Sequence, residues 1–171
     1  MAAGDVWIED GSVITWGDSG TTYLMTLQNL ATVAGRVGAR ADLGAWPRAL
    51  AYRWYLEVEW ASAPTIDQAV ELYFGGWDND TGPASPTGQL PATDTGYAAG
   101  NAGLSKRKNL VQAGVVTAET AAVGPFSNGG LVALPYRYVS PFIYNGGGQA
   151  LKNTANACVL RLTPVYSQVQ S

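Results

Sequence analysis

Tyr52-Arg-Trp-Tyr-Leu-Glu-Val-Glu-Trp60 decides the fold class. Tyr52, Trp54, Leu56, Val58 and Trp60 alternate with Arg53, Tyr55, Glu57 and Glu59. Successive side chains of a β-strand point to opposite faces, so a strict period of two predicts a half-buried strand with an aromatic-rich core side. Working outward, Val70, Leu72 and Phe74 oppose Glu71 and Tyr73 in the same way, and Cys158, Leu160 and Leu162 oppose Val159, Arg161 and Thr163. Residues 110–117 and 131–144 also read as extended, being rich in Val and Tyr. Pro135 and Pro141 each remove a ladder donor from the second of these, which predicts an edge, bulged or bent strand.

The N-terminal part carries shorter signals. Residues 5–8 and 12–16 read as short strands around a Glu9-Asp10-Gly11 turn. Residues 21–30 fit either a strand or a short helix, because Tyr23, Leu27 and Leu30 also match helical spacing. Thr65 and Gln68 have capping-box spacing, enough for one helical turn. Residues 75–109 are crowded with Gly, Pro, Ser, Thr, Asp and Asn and read as one long loop, and loops of that length are usually functional or disordered. Asn145 to Gln149 reads as a flexible turn. Eight or so strands with Gly/Pro turns and no secure helix predict an all-β, antiparallel β-sandwich. The expected organisation is an N-terminal arm over 1–20 and one sandwich domain over 21–171, with the loop at 75–109 as an insertion.

Bulk composition narrows the function classes. The 171 residues suit one domain with a core of its own. Charged residues make up 13 %, against about 25 % in ordinary globular chains. A weakly charged surface suits a protein that sits against another protein. The net charge of −3 argues against nucleic-acid binding. No stretch approaches the roughly 20 apolar residues of a membrane helix. The N-terminus lacks the basic and apolar regions of a signal peptide, so folding in a cytoplasm is expected. The single cysteine, Cys158, excludes an intrachain disulfide and reads as a buried small hydrophobe.

The chemistry-bearing residues are sparse. With no histidine there is no Ser-His-Asp or Cys-His nucleophile and no ordinary zinc site, and no phosphate-binding glycine motif is present. The chain is therefore expected not to be an enzyme and to need no cofactor or metal. Glu57 and Glu59 share a strand face, which a glycosidase pair requires, but a solvated sheet face has the same pattern. Asp78-Asn79-Asp80-Thr81-Gly82 begins like a calcium loop without its closing Glu, and also describes an ordinary turn. Trp46 and Trp77 flank predicted loops, where a tryptophan either stacks on a sugar or protein partner or caps the core. Asp5, Glu9, Asp10 and Asp18 make the first thirty residues acidic, with no Lys or Arg among them, and Trp7 lies between these acids. Lys106-Arg107-Lys108 is the only basic run, suited to an acidic surface such as a neighbouring copy's arm, or simply solvated. The candidate contact residues are thus Asp5, Trp7, Glu9, Asp10, Trp77, Lys106, Arg107 and Lys108.

Four features together carry a resemblance: the extended N-terminal arm, Arg36-Val-Gly-Ala-Arg-Ala-Asp-Leu-Gly44, the segment from Ala63-Pro-Thr to Val70-Glu-Leu-Tyr73, and the segment from Arg137-Tyr-Val to Tyr144-Asn-Gly-Gly-Gly-Gln-Ala-Leu151. In these the chain resembles small virion proteins of tailed bacteriophages, especially jelly-roll decoration (cement) proteins of the capsid. The resemblance implies a structural protein made in the host cytoplasm and located on the virion. It would bind the major capsid protein on the outer capsid surface, stabilise the shell, and assemble as a homotrimer, without catalytic residues. The alternative is a jelly-roll carbohydrate-binding module of a phage tail or fibre, with a glycan as partner and Trp46, Trp77 and the Asp78–Asp80 loop as its contacts. Fold likeness does not choose between them.

Overall fold

A computed structural model describes residues 6–45, 48–77, 90–97 and 110–169, without the side chains of 6, 7 and 167–169. It contains strands and no helix among the described residues. They are β1 (Val6–Asp10), β2 (Ile14–Gly17), β3 (Tyr23–Leu24), β4 (Ala34–Val37), β5 (Ala41–Asp42), β6 (Ala51–Val58), β7 (Ala69–Trp77), β8 (Thr95–Tyr97), β9 (Val111–Thr117), β10 (Phe126–Ala133), β11 (Tyr138–Asn145) and β12 (Val159–Val169). One sheet runs β10-β6-β12-β2-β3, with β1 also on β12; the other runs β8-β4-β11-β7-β9, with β5 also on β11. These are called sheets A and B below.

Counting β1/β2 and β4/β5 each as one broken strand, and leaving out the short β3 and β8, eight strands remain. They pair first with eighth (β1/β2 with β12), second with seventh (β4/β5 with β11), third with sixth (β6 with β10) and fourth with fifth (β7 with β9). All of these pairs are antiparallel, and their nesting into two facing sheets is a jelly roll. The β2–β3 contact is parallel.

The predicted core faces are the observed ones. Tyr52, Trp54, Leu56, Val58 and Trp60 are all buried, as are Val70, Leu72 and Phe74 and Cys158, Leu160 and Leu162. They meet between the sheets with Trp16, Met25, Leu27, Val139 and Ile143. Burying each large side chain contributes roughly 1.5–3 kcal/mol before entropy is counted. Residues 21–30 form β3 and then an irregular stretch that buries Met25, Leu27 and Leu30, so the helical alternative does not hold. Thr65 and Gln68 do contact one another, Thr65 N–H donating to Gln68 Oε1 at 3.1 Å, but they close a turn rather than start a helix. The Asn145 turn is anchored, not loose: the buried Asn145 amide donates to the Leu30, Ala31 and Gln149 carbonyls and accepts from Gly147 N–H.

Two expectations need correction. Residues 1–20 were expected as an arm, but β1 lies along the far end of β12 and β2 along its start, and Trp16 is fully buried. Residues 131–144 are two strands, and the one carrying Pro141 is central in sheet B, not at an edge. A residue's N and O point to the same side of a strand, and Pro141 O accepts from Gly38 N at 2.9 Å. Its missing donor therefore faces Gly38, in the gap between β4 and β5, where no ladder bond is needed. Pro164 in β12 repeats the arrangement: Pro164 O accepts from Gly11 N at 2.8 Å, in the gap between β1 and β2.

Sheet B has an apolar outer side as well. Val37, Tyr73, Trp77, Tyr138 and Phe142 form a second cluster there, closed by Leu90 and Tyr97. The strap 90–97 crosses this face, with Leu90 over Gly75, Ala92 O accepting from Arg40 N–H, and β8 paired on β4. Asp94 clasps it. Its carboxylate accepts from Arg36 Nε (2.6 Å) and Nη2, from Thr26 N–H (3.1 Å) and from Thr26 Oγ1 (2.7 Å). Burial pushes this carboxyl up, but the hydrogen bonds from Arg36 and Thr26 outweigh it and hold the group below its ordinary value of 3.8.

Two stability outcomes follow from these contacts. A Cβ at Gly38 would lie 2.8 Å from Pro141 Cγ and 3.0 Å from both Met25 Sδ and Trp16 Cδ1. Gly38→Val should therefore destabilise the fold by about 1–3 kcal/mol in urea unfolding. Asp94→Asn should cost about 3 kcal/mol at neutral pH by leaving Arg36 without its charge partner. Because the folded-state value is lowered, the Asp94 contribution is complete above pH 3.8 and is lost as pH falls through the lower folded value. The stability gap between wild type and Asp94→Asn should therefore close only in strong acid.

Candidate functional site

The outer side of sheet A is built differently from that of sheet B. The register sets residues in rows across β12, β6 and β10. Arg161, Tyr55 and Gly129 form one row, extended by Thr15 of β2; Thr163, Arg53 and Leu131 form the next. The strand alternation that buries Trp54 and Leu162 sends all of these outward. Gly129 presents no side chain beside Tyr55. An open depression of about 710 Å³ results, lined by Val13, Arg53, Tyr55, Gly129, Leu131 and Arg161 among others.

Its chemistry is mixed. Leu131 is 67 % exposed and Val13 50 %, and Ile8, on the same outer side of β1 as Asp10, is 70 % exposed. The Arg161 guanidinium lies 5.5 Å from the Tyr55 ring centroid. The Tyr55 hydroxyl donates to Glu57 Oε2 at 3.0 Å, which fixes the ring. Arg53 pairs with Asp10 at 2.5 Å, with both side chains about half exposed, so the pair orients Arg53 and adds at most about 1 kcal/mol. The arrangement can bind a partner through aliphatic contact and guanidinium hydrogen bonds.

The residues singled out in the sequence fall in several places. Glu9 and Asp10 are exposed in β1, and Asp10 reaches the depression's rim through Arg53. Trp7 is in β1 opposite Gln168. Trp77 is not a surface platform: it ends β7, buried in the second cluster, with the Arg40 guanidinium 6.0 Å from its ring centroid. The expected loop over 75–109 is shortened accordingly, because 75–77 belong to β7 and 90–97 form the strap. Asp5, Trp46, Asp78–Asp80 and Lys106, Arg107 and Lys108 lie outside the described residues. Glu57 accepts from Tyr55, whereas Glu59 is held by Lys152, so the two carboxylates serve separate contacts. Among the described residues no group of three or more His, Cys, Asp or Glu is placed to hold a metal. Among the described residues no helix is long and apolar enough to cross a membrane.

Sequence reasoning placed Arg53, Tyr55 and Arg161 on outward faces and stopped there. Leu131 and Gly129 carried no signal, because which strand lies beside β6 is not written in local periodicity. The chain matches no protein-family model and no curated protein.

Cys158 is excluded from the chemistry by its surroundings. Burial, chiefly, pushes its thiol up to about 12, with Glu59 N–H donating to the sulfur at 3.4 Å. The native protein should stay unmodified by a thiol-disulfide reagent at pH 8, and one thiol per chain should react after unfolding in urea.

Proposed function

We propose that this chain is a structural virion protein, a decoration or cement protein that binds the outer surface of a phage capsid through the outer side of sheet A. The observation that supports this reading is the contrast between the two sheets. Among the described residues the chain covers the outer side of sheet B with its own strap and leaves that of sheet A open, with Val13 and Leu131 exposed around Tyr55 and two arginines and Ile8 exposed further along the same side, on β1. Exposed aliphatics grouped on one face indicate a partner. Tyrosine and arginine are the residues enriched at the centre of protein interfaces. The partner is the major capsid protein, and the binding unit is a homotrimer. The protein acts by contact and not by catalysis, on the virion surface.

A glycan is the weaker occupant. A sugar needs a free aromatic face, whereas the Tyr55 ring is covered on one side by Arg161. Of the contacts a carbohydrate reading names, Trp77 is buried, while Trp46 and Asp78–Asp80 lie outside the described residues.

Co-sedimentation with expanded capsids of the encoding phage tests the proposal. The wild-type chain should pellet with the capsids, at a solution mass three times the 17.9 kDa of one chain. The double variant Ile8→Asp, Leu131→Asp should remain in the supernatant with an unchanged melting temperature, since both positions are exposed. A wild-type chain left in the supernatant would end the capsid reading.

A further inference from the structure

Among the described residues Arg161 stands apart from the other cations; Arg40, over the Trp77 and Tyr138 rings, has a further partner of its own. Arg36, Arg53, Arg137 and Lys152 each pair with a carboxylate, respectively Asp94, Asp10, Asp42 and Glu59. Arg48 donates to the Pro135 carbonyl. Arg161 has no hydrogen bond or ion pair among the described residues, and its one contact of this kind is the Tyr55 ring. The guanidinium lies over the ring, and the Tyr55–Glu57 hydrogen bond orients the ring. The guanidinium's N–H donors remain unspent, at the edge of an open depression walled by Leu131 and Val13. A guanidinium without a carboxylate partner can receive one through two parallel N–H···O bonds.

We infer that the Arg161–Tyr55–Gly129 row is an acceptor site for an extended acidic peptide segment of the partner, whose carboxylate pairs with Arg161 while a neighbouring aliphatic side chain rests on Leu131 and Val13. This deepens the proposed function and rests on its protein partner. Charge complementarity selects the acid. Glu57, the carboxylate on the next row, is spent on Tyr55, and Asp10 is spent on Arg53. The geometry favours an extended segment: in such a chain alternate side chains share one face about 7 Å apart. The absent side chain at Gly129 leaves room for one of them beside the Tyr55 ring.

The test uses the full-length protein and a fluorescein-labelled peptide, Leu-Glu-Leu-Glu-Leu, blocked at its C-terminus, followed by fluorescence polarisation. The wild type should bind it. Arg161→Gln should weaken binding by about tenfold. Arg161→Lys should fall between the two, because an ammonium keeps the charge and loses the paired geometry. Lys152→Gln, outside the depression, should bind like wild type. Equal binding by wild type and Arg161→Gln overturns the inference. So does a wild type that ignores the peptide and binds an oligogalacturonate instead, which would make the ligand an acidic glycan. Sedimentation separates this from the broader reading: if Arg161→Gln pellets with capsids as wild type does, the acceptor site fails and the cement role stands.

Discussion

A central strand can carry a proline only where its neighbour asks for no hydrogen bond, and both sheets are organised around that constraint. Pro141 in β11 and Pro164 in β12 each face a break in the adjoining strand, and at each break a glycine N–H donates to the proline carbonyl. In sheet B the break is also a joint. Gly38 N–H goes to Pro141, Ala39 N–H to the Leu24 carbonyl of β3, and Arg40 N–H to Ala92 of the strap, while Trp16 Nε1 donates back to Ala39 O at 2.8 Å. Three consecutive donors thus serve three different parts of the molecule. The break gives up ladder bonds within one sheet and ties that sheet to the other sheet and to its own cover.

The cover creates the functional asymmetry. Sheet B has Tyr73, Trp77, Tyr138 and Phe142 on its outer side, a surface too apolar to leave in water, and Leu90 and Tyr97 close it. The closure depends on Asp94, a nearly buried carboxylate with four hydrogen bonds from Arg36 and Thr26. Sheet A has no such strap among the described residues. Its outer side is half polar, and Val13 and Leu131 stay exposed beside Arg53 and Arg161. A surface of that kind tolerates water and still gains from a partner.

Much of the fold was legible in single strands. The alternation in 52–60, 70–74 and 158–162 names the core faces correctly, because burial on one side imposes a period of two. The prolines misled in a specific way. Read locally, Pro141 signals an edge, a bulge or a bend; whether a lost donor matters depends on the strand opposite, which lies about a hundred residues away in the chain. Trp77 had two readings, a surface platform or a cap on the core, and it is buried. The Gly/Pro-rich stretch after it suggests exposure, yet its strand continues to that residue and the strap buries it. Of the depression, Arg53, Tyr55 and Arg161 were legible as outward-facing, and nothing more.

The sequence by itself determined an all-β sandwich, the core side of its longest strands and the lack of any histidine-based chemistry, since these depend on residue type and local period alone. Only the tertiary structure decided that β12, β6 and β10 lie side by side, and so brought Arg161, Tyr55 and Gly129 into one row. Strand register is a long-range property, fixed by how two sheets share a core. The open face of sheet A, with its unpaired arginine, exists only once that register is set.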